Sequence, residues 1–353
     1  MKTIKLRFNP GLREFEKLIE SYGDKLAEEL AKKLGKCYSM YKHDERFKKI
    51  FKIQATILRA IREYLDSRGF VEILPPIVGP TTDPGTKDVG QASIEFYGYK
   101  YKVMSGVILH KQMMVDILGK IYLFSPNVRI EPPETLLTGR HLAEFFRVDV
   151  EIRDATYYDA MEVAERLFEH AVNRVCEEHW RDLEAMGRIL EIRRPPYPRL
   201  TYREALRVLS NMGYEVKYGV EIPWDQERVL SAAFETPFFI IDYPKESRDF
   251  YEREDPERPG ILRDFDMLYP EGFGEAASGA EREYEYDKVV RRMLESGENP
   301  AKYGWYVDML KEGISPSAGF SMGIERLTRY VCGLPAVWEA RPYPKVPGIV
   351  PTP

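Results

Sequence analysis

The chain is poor in the residues that build disulfide frameworks and metal centres. Of 353 residues only Cys37, Cys176 and Cys332 are cysteine, far apart and odd in number. That argues against a disulfide framework and against a cysteine-based zinc site. The five histidines (His43, His110, His141, His170 and His179) show no metal-ligand spacing either. No apolar run approaches the ~20 residues of a membrane span. The charges of residues 1–7 are followed by no apolar signal-peptide stretch. A cytoplasmic protein with no membrane partner is expected. Nor is there a basic excess: 52 Lys and Arg face 57 Asp and Glu, a net charge of −5. Nucleic-acid binding relies on neutralising phosphates, so this balance lends a tRNA partner no support, without excluding one. Glutamine is scarce, at four residues, beside abundant Glu, Lys, Arg and Tyr, a composition seen in heat-adapted proteins.

What is present is enough for one large core, or one core and a small appendage. Leu12, Phe15, Leu18, Ile19, Leu26, Leu30 and Leu34 recur at helical spacing, broken near Tyr22-Gly23. A second helix is predicted over 46–67, ending at Arg68-Gly69, then a strand over 70–74 stopped by Pro75-Pro76. Residues 79–90 read as a loop, 94–103 as short strands, 108–117 as a helix, and 121–154 as a hairpin. A long amphipathic helix follows over 158–186. Residues 235–345 read as strands and loops with one last helix from Ile324 to about Val331. The predicted fold class is α+β, a mainly antiparallel sheet flanked by helices. An N-terminal helical extension over 1–45 precedes a single domain over 46–353.

The hairpin carries the most information. Phe146, Val148, Val150 and Ile152 alternate with Arg147, Asp149, Glu151 and Arg153, and strand periodicity puts the two sets on opposite faces. The charged face fits a half-solvated hairpin with cross-strand ion pairs. The other reading is the floor of a site for a charged ligand, with Arg129 neutralising phosphate and carboxylate oxygens together. Further on, Ser317-Ala318-Gly319-Phe320-Ser321-Met322-Gly323-Ile324-Glu325-Arg326 runs a small-residue strand into a helix. Arg326 falls in the first turn of that helix, where the dipole disfavours a cation. A local rule broken beside glycines suggests a functional site, unless a carboxylate such as Glu325 simply pairs with it.

Three segments, in order, resemble the motifs of class II aminoacyl-tRNA synthetases. They are Arg68-Gly69-Phe70-Val71-Glu72-Ile73-Leu74-Pro75-Pro76; Arg129-Ile130-Glu131 with Arg140-His141-Leu142-Ala143-Glu144-Phe145; and Gly319 through Arg326. The second is the most specific and resembles the aspartyl/asparaginyl subgroup. Within it, Ile108-Leu109-His110-Lys111-Gln112, Pro316-Ser317-Ala318-Gly319 and Val346-Pro347-Gly348-Ile349 are similar to the archaeal asparagine synthetases related to asparaginyl-tRNA synthetase. Members of that family have the catalytic core without an anticodon-binding domain. Here the residues before Arg68 read as helix, not as a five-stranded barrel.

The resemblance implies ATP and Mg²⁺ as cofactors and a role for each matching position. Arg129 would bridge the α-phosphate and the reacting carboxylate. Glu131 would accept from the adenine amine, and Arg140 and His141 would meet the terminal phosphates. Phe145 and Arg326 would sandwich the adenine beside Gly323. Asp266 and Glu275 match positions that bind magnesium. Lys111 and Arg282 would clamp the second carboxylate of aspartate, and Asp149 would hold its amino group, with Asp83 and Ser105 as further candidates. Two departures weaken any simple aspartyl-tRNA reading: Ser105-Gly106-Val107 replaces Ser-Pro-Gln, and Ala280 replaces a glycine.

Asparagine synthesis is the leading expectation. Aspartate and ATP would give a β-aspartyl adenylate, which ammonia attacks to release asparagine and AMP. The partners are then aspartate, ammonia and a second copy of the chain, with tRNA not expected. The alternatives are a synthetase core that charges a tRNA or a protein, and a regulatory paralogue that binds ligands without turnover.

Overall fold

The computed structural model describes residues 5–84, 89–191 and 193–349. Residues 85–88 of the loop expected over 79–90 lie outside these, as do the extreme ends of both expected domains. The N-terminal periodicity becomes α1 (Pro10–Tyr22) and α2 (Leu26–Leu34), separated by a 3₁₀ turn from Gly23. Pro10 opens α1, and the Asn9 side chain accepts from the Gly11 N–H at 2.9 Å, capping a donor the helix leaves free. After α3 (Cys37–His43), Asp44 caps α4 (Glu45–Ser67) in the same way. The first three helices do not stand apart from the body. Phe15, Leu26, Leu30 and Leu34 share one apolar cluster with Leu136, Leu142, Val337 and Trp338.

The strand predicted over 70–74 is much shorter. Only β1 (Val71–Glu72) pairs, parallel to β5 (Lys120–Val128). Leu74 beyond it is 93% exposed, and Pro75-Pro76 cannot donate to a ladder. The short strands are β2 (Val78–Gly79), β3 (Ser93–Phe96) and β4 (Tyr99–Val103), forming a small sheet in the order β2-β4-β3. Next comes α5 (Ile108–Leu118). The expected hairpin is β5 paired antiparallel with β6 (Glu144–Arg153), followed by α6 (Tyr157–Ala185). Then come β7 (Arg199–Thr201), α7 (Tyr202–Asn211), α8 (Trp224–Ala232), β8 (Phe238–Ile241), β9 (Asp264–Tyr269) and β10 (Gly274–Glu281). The chain continues through α9 (Tyr286–Glu295), α10 (Gly304–Glu312), β11 (Ser317–Gly323) and α11 (Ile324–Cys332).

The eight-stranded sheet runs β1-β5-β6-β11-β10-β9-β8-β7. Its two outermost pairs are parallel and the rest antiparallel. This is the expected α+β class. One face is apolar: Val148, Val150 and Ile152 of β6 join Phe320, Met322, Phe265 and Met267. Against it lie Ile50, Ile53, Ile57 and Ile61 of α4, Ala164, Leu167 and Phe168 of α6, and Leu327 of α11. Burying each large side chain contributes about 1.5–3 kcal/mol, so this face anchors the sheet and leaves the other free for chemistry.

Two helices, α9 and α10, interrupt the region expected to hold strands, loops and one helix. The stripe of α9 is thin: Val289 and Met293 are its buried apolar residues, and Arg292 is buried beside them against carbonyls of 245–249. No described helix is long and apolar enough to cross a membrane. All three cysteines are free.

Candidate active site

The polar face of β6, β10 and β11 floors a cavity of about 340 Å³. The odd set on β6 is not solvated, as a surface hairpin would require: Asp149 and Glu151 are both 0% exposed. Burying carboxylates is costly unless cations and donors meet them, and these are met closely. Lys111, also 0% exposed, lies 3.4 Å from Asp149 and 3.2 Å from Glu151. Arg282 grips Glu151 through Nε at 3.0 Å and donates to the Gly319 carbonyl. Asp149 accepts from Ser125 and Ser321. Gly319 is required here, because a Cβ would stand 2.2 Å from both the Val150 carbonyl and a Glu151 oxygen.

One end of the cavity collects Arg129, Glu131, Arg140, His141, Phe145, Glu275, Gly323 and Arg326. Arg326 breaks the dipole rule because Glu275 compensates it at 3.1 Å; Glu325 is engaged elsewhere, with Arg341 at 3.1 Å and the Phe146 N–H. Glu275 also meets Arg140 at 3.1 Å. Burial alone would raise its pKa, but Arg326, Arg140 and Arg248 hold it down to about 2. Arg140 is fixed in turn by Glu227 at 2.5 Å and lies over Trp224. Burial, with Arg140 and Arg326 nearby, pushes His141 down to about 2, so its imidazole is neutral. Its Nδ1 shares a 2.7 Å hydrogen bond with the Thr138 hydroxyl. Arg129 lies over the Phe145 ring and donates to the Ser105 carbonyl at 3.2 Å.

A second group of acids surrounds Arg248, which pairs with Asp266 at 2.5 Å, Glu221 at 3.0 Å and Asp264 at 3.3 Å. Burial pushes Glu221 up to about 8 and Asp264 up to about 7, against the pull of Arg248. Asp266 Oδ1 is buried with no hydrogen-bond partner. No group of three described His, Cys, Asp or Glu side chains is disposed to hold a metal. Two carboxylates completed by phosphate oxygens is, however, the usual way magnesium is held beside a nucleotide. Asp266, with its free oxygen, and Glu275 both line the cavity and fit that mode.

The residues 31–347 match the family of class II tRNA synthetases for D, K and N. The chain belongs to this family. It is 35% identical over 301 residues to an asparagine–tRNA ligase of Thermococcus gammatolerans, covering 84% of this chain and 69% of that protein. It is 30% identical over 309 residues to one of Thermoplasma acidophilum, covering 87% and 71%. The asparaginyl-tRNA synthetase of Pyrococcus horikoshii, solved with asparaginyl-adenylate, superposes with a TM-score of 0.85 at 30% identity, covering 94% of this chain and 74% of that one. As a class II synthetase-type protein the chain is an ATP-dependent ligase.

Within this synthetase-type site the expected residues divide. Arg129, Glu131, Arg140, His141, Phe145, Asp266, Glu275, Arg282, Gly323, Arg326 and Asp83 line one cavity. Lys111, Asp149 and Ser105 do not; all three are buried beneath its floor. Lys111 is therefore no exposed half of a carboxylate clamp: its ammonium is spent on Asp149 and Glu151. Asp149, expected to receive an amino group, already accepts from two serines. The sequence reading missed Arg147, Glu221, Glu227, Arg248, Asp249 and Glu252, which also line the cavity. Arg147 stood in the charged set of the hairpin. The others sit in charge-rich segments with nothing in composition to separate them from surface.

Proposed function

We propose that the chain joins the carboxylate of aspartate to the α-phosphorus of ATP, giving an aminoacyl adenylate and pyrophosphate. The observation that carries this reading is Arg129. Among the described residues it has no carboxylate within ion-pair distance, although it lies between the Phe145–Arg326 end and the Asp83–Arg282 end. A guanidinium with no carboxylate in contact there can bridge two anions that repel each other, and holding them together lowers the barrier. Phe145 and Arg326 would enclose the adenine, Glu131 would accept from its amine, and Arg140 with neutral His141 would donate to the outer phosphates. Asp266 and Glu275 would hold magnesium, which screens phosphate charge.

Aspartate, rather than asparagine, is favoured by Arg147, a loosely held guanidinium on the cavity wall. The names of the relatives favour tRNA as the acceptor. A second reading, ammonia as acceptor with asparagine and AMP as products, follows from the resemblance of Ile108–Gln112 and Val346–Ile349 to the archaeal asparagine synthetases. A homodimer is the third element of the proposal. Val71, Leu74 and Ile77 beside the edge strand β1, and Ile117 and Leu118 of α5, are exposed, an apolar patch suited to a two-fold partner.

The test is aspartate-dependent exchange of labelled pyrophosphate into ATP. No exchange with aspartate at any Mg²⁺ concentration would reject adenylation. Adding ammonium or tRNA then separates the acceptors, by free asparagine or by aspartate bound to RNA.

A further inference from the structure

The floor of the cavity carries one more charged side chain with no assigned task. Arg147 lies two residues beyond Phe145 on the same face of β6, about 6–7 Å along the strand, and two before Asp149. It stands between the nucleotide end and the substrate end. Its commitments are weak: Nη2 donates to the Asn127 side chain at 3.1 Å, Nε lies 3.8 Å from Asp149, and Nε has no hydrogen-bond partner. Asp149 and Glu151 face three cations, namely Lys111, Arg147 and Arg282. Burial pulls the Lys111 ammonium down against the opposing pull of Glu151 and Asp149, both within 3.4 Å. Arg282 is hydrogen-bonded to both oxygens of Glu151. Arg147 is the one of the three that is both loosely held and at the cavity wall.

Opposite stands Asp83, whose carboxylate accepts from the Ile108 N–H at 3.0 Å and forms no ion pair with Arg147. The space between them is kept open by a missing side chain. A Cβ on Gly106 would stand 1.9 Å from Asp83 Oδ2 and 3.0 Å from Arg147 Nη2. A cation and an anion that face one gap without closing it match a zwitterion, carboxylate to the guanidinium and ammonium to the acid.

We propose that Arg147 is the carboxylate receptor of the substrate subsite: it holds the α-carboxylate of a dicarboxylic amino acid while Asp83 holds the α-ammonium, and the side-chain carboxylate is delivered to Arg129. This rests on the adenylation reading above and adds which end of the substrate reacts. It also gives Gly106, one of the sequence departures noted above, a physical role.

The experiment measures aspartate binding by calorimetry and pyrophosphate exchange, for the full chain and for Arg147→Met and Gly106→Ala. Substrates are aspartate and its α-amide. The full chain is expected to bind aspartate and reject the α-amide. Arg147→Met is expected to raise the aspartate KM roughly 10–100-fold, as loss of a charged hydrogen-bonded pair does. The ATP KM should stay within about twofold and discrimination against the α-amide should fall. Gly106→Ala, which keeps every charge, should weaken aspartate in the same way, and Arg147→Lys should recover part of the loss. An aspartate KM unchanged in Arg147→Met, or ATP and aspartate weakened equally, overturns the assignment. Exchange that ignores Arg147 leaves adenylation standing without it. Arg147-dependent binding without exchange does the reverse, and no aspartate binding by the full chain overturns both.

Discussion

Glu275 links Arg140 and Arg326 at the proposed nucleotide end, and its replacement by Gln gives a quantitative test of that electrostatic arrangement. The carboxylate lies 3.1 Å from both Arg140 and Arg326, and its pKa falls from the ordinary 4.5 to about 2. Each unit is worth about 1.4 kcal/mol, so the charged form stabilises the fold by roughly 3 kcal/mol. Salt screening trims that somewhat, because the side chain is 29% exposed. A folded-state pKa below the unfolded one means this stability is fully present above about pH 4.5 and is lost as pH falls through about 2. Glu275→Gln removes the charge at every pH. Urea unfolding of the two proteins at pH 7 should show the variant less stable by roughly 3 kcal/mol, and at pH 3 by less than about half that. A gap of the same size at both pH values, or one below about 1 kcal/mol at pH 7, would refute the account of Glu275 as an ionised bridge.

Other perturbations probe the supports of the site. Phe15 packs edge-on to Trp338 at 5.3 Å and against Gly139 of the loop that carries Arg140 and His141. Phe15→Ala should cost about 3–5 kcal/mol and raise the ATP KM in steady-state kinetics; a stability loss with unchanged ATP affinity would separate the extension from the site. Gly319→Ala drives a methyl group into the Val150 carbonyl and Glu151, and should lower stability by about 1–3 kcal/mol or more, read as an earlier urea midpoint. Leu74→Asp, at the exposed patch by β1, should yield monomers by light scattering while leaving far-UV dichroism intact. Monomeric unsubstituted protein at micromolar concentration would dismiss the dimer.

Strand alternation located the floor of the cavity, because a period of two separates the core face from the polar face whatever the charges do. It could not say whether the charged face met water. That depended on β11 supplying Gly319 and Ser321, residues small enough for Glu151 and Asp149 to be buried beside them. Arg326 was legible for a similar reason: a cation at a helix start demands a partner. The partner, Glu275, lies on β10 about fifty residues earlier, beyond the reach of local pattern. Lys111 shows the opposite limit. A lysine following Ile108 and Leu109 could be placed inward, yet only the packing of α5 against β6 shows its ammonium to be spent beneath the cavity rather than in it.

That outcome shapes the charge economy of the whole site. A buried lysine held by two carboxylates cannot also be the free pole of a substrate clamp, since separating it from either anion would cost several kcal/mol. On the proposed reading, recognition of a second carboxylate would therefore come from a guanidinium at the wall whose bonds are incomplete. Arg282 is spent on Glu151 and the Gly319 carbonyl, Arg140 and Arg326 on Glu275, and Arg248 on three acids. Among the described residues Arg129 has no ion pair and Arg147 only a loose one, 3.8 Å from Asp149; both lie at the wall, and on the proposed reading each would lower the cost of bringing one anion close to the other. On the proposed reading, these two guanidiniums would meet the two carboxylates of aspartate, so the ion pairs that stabilise the fold would also set substrate choice.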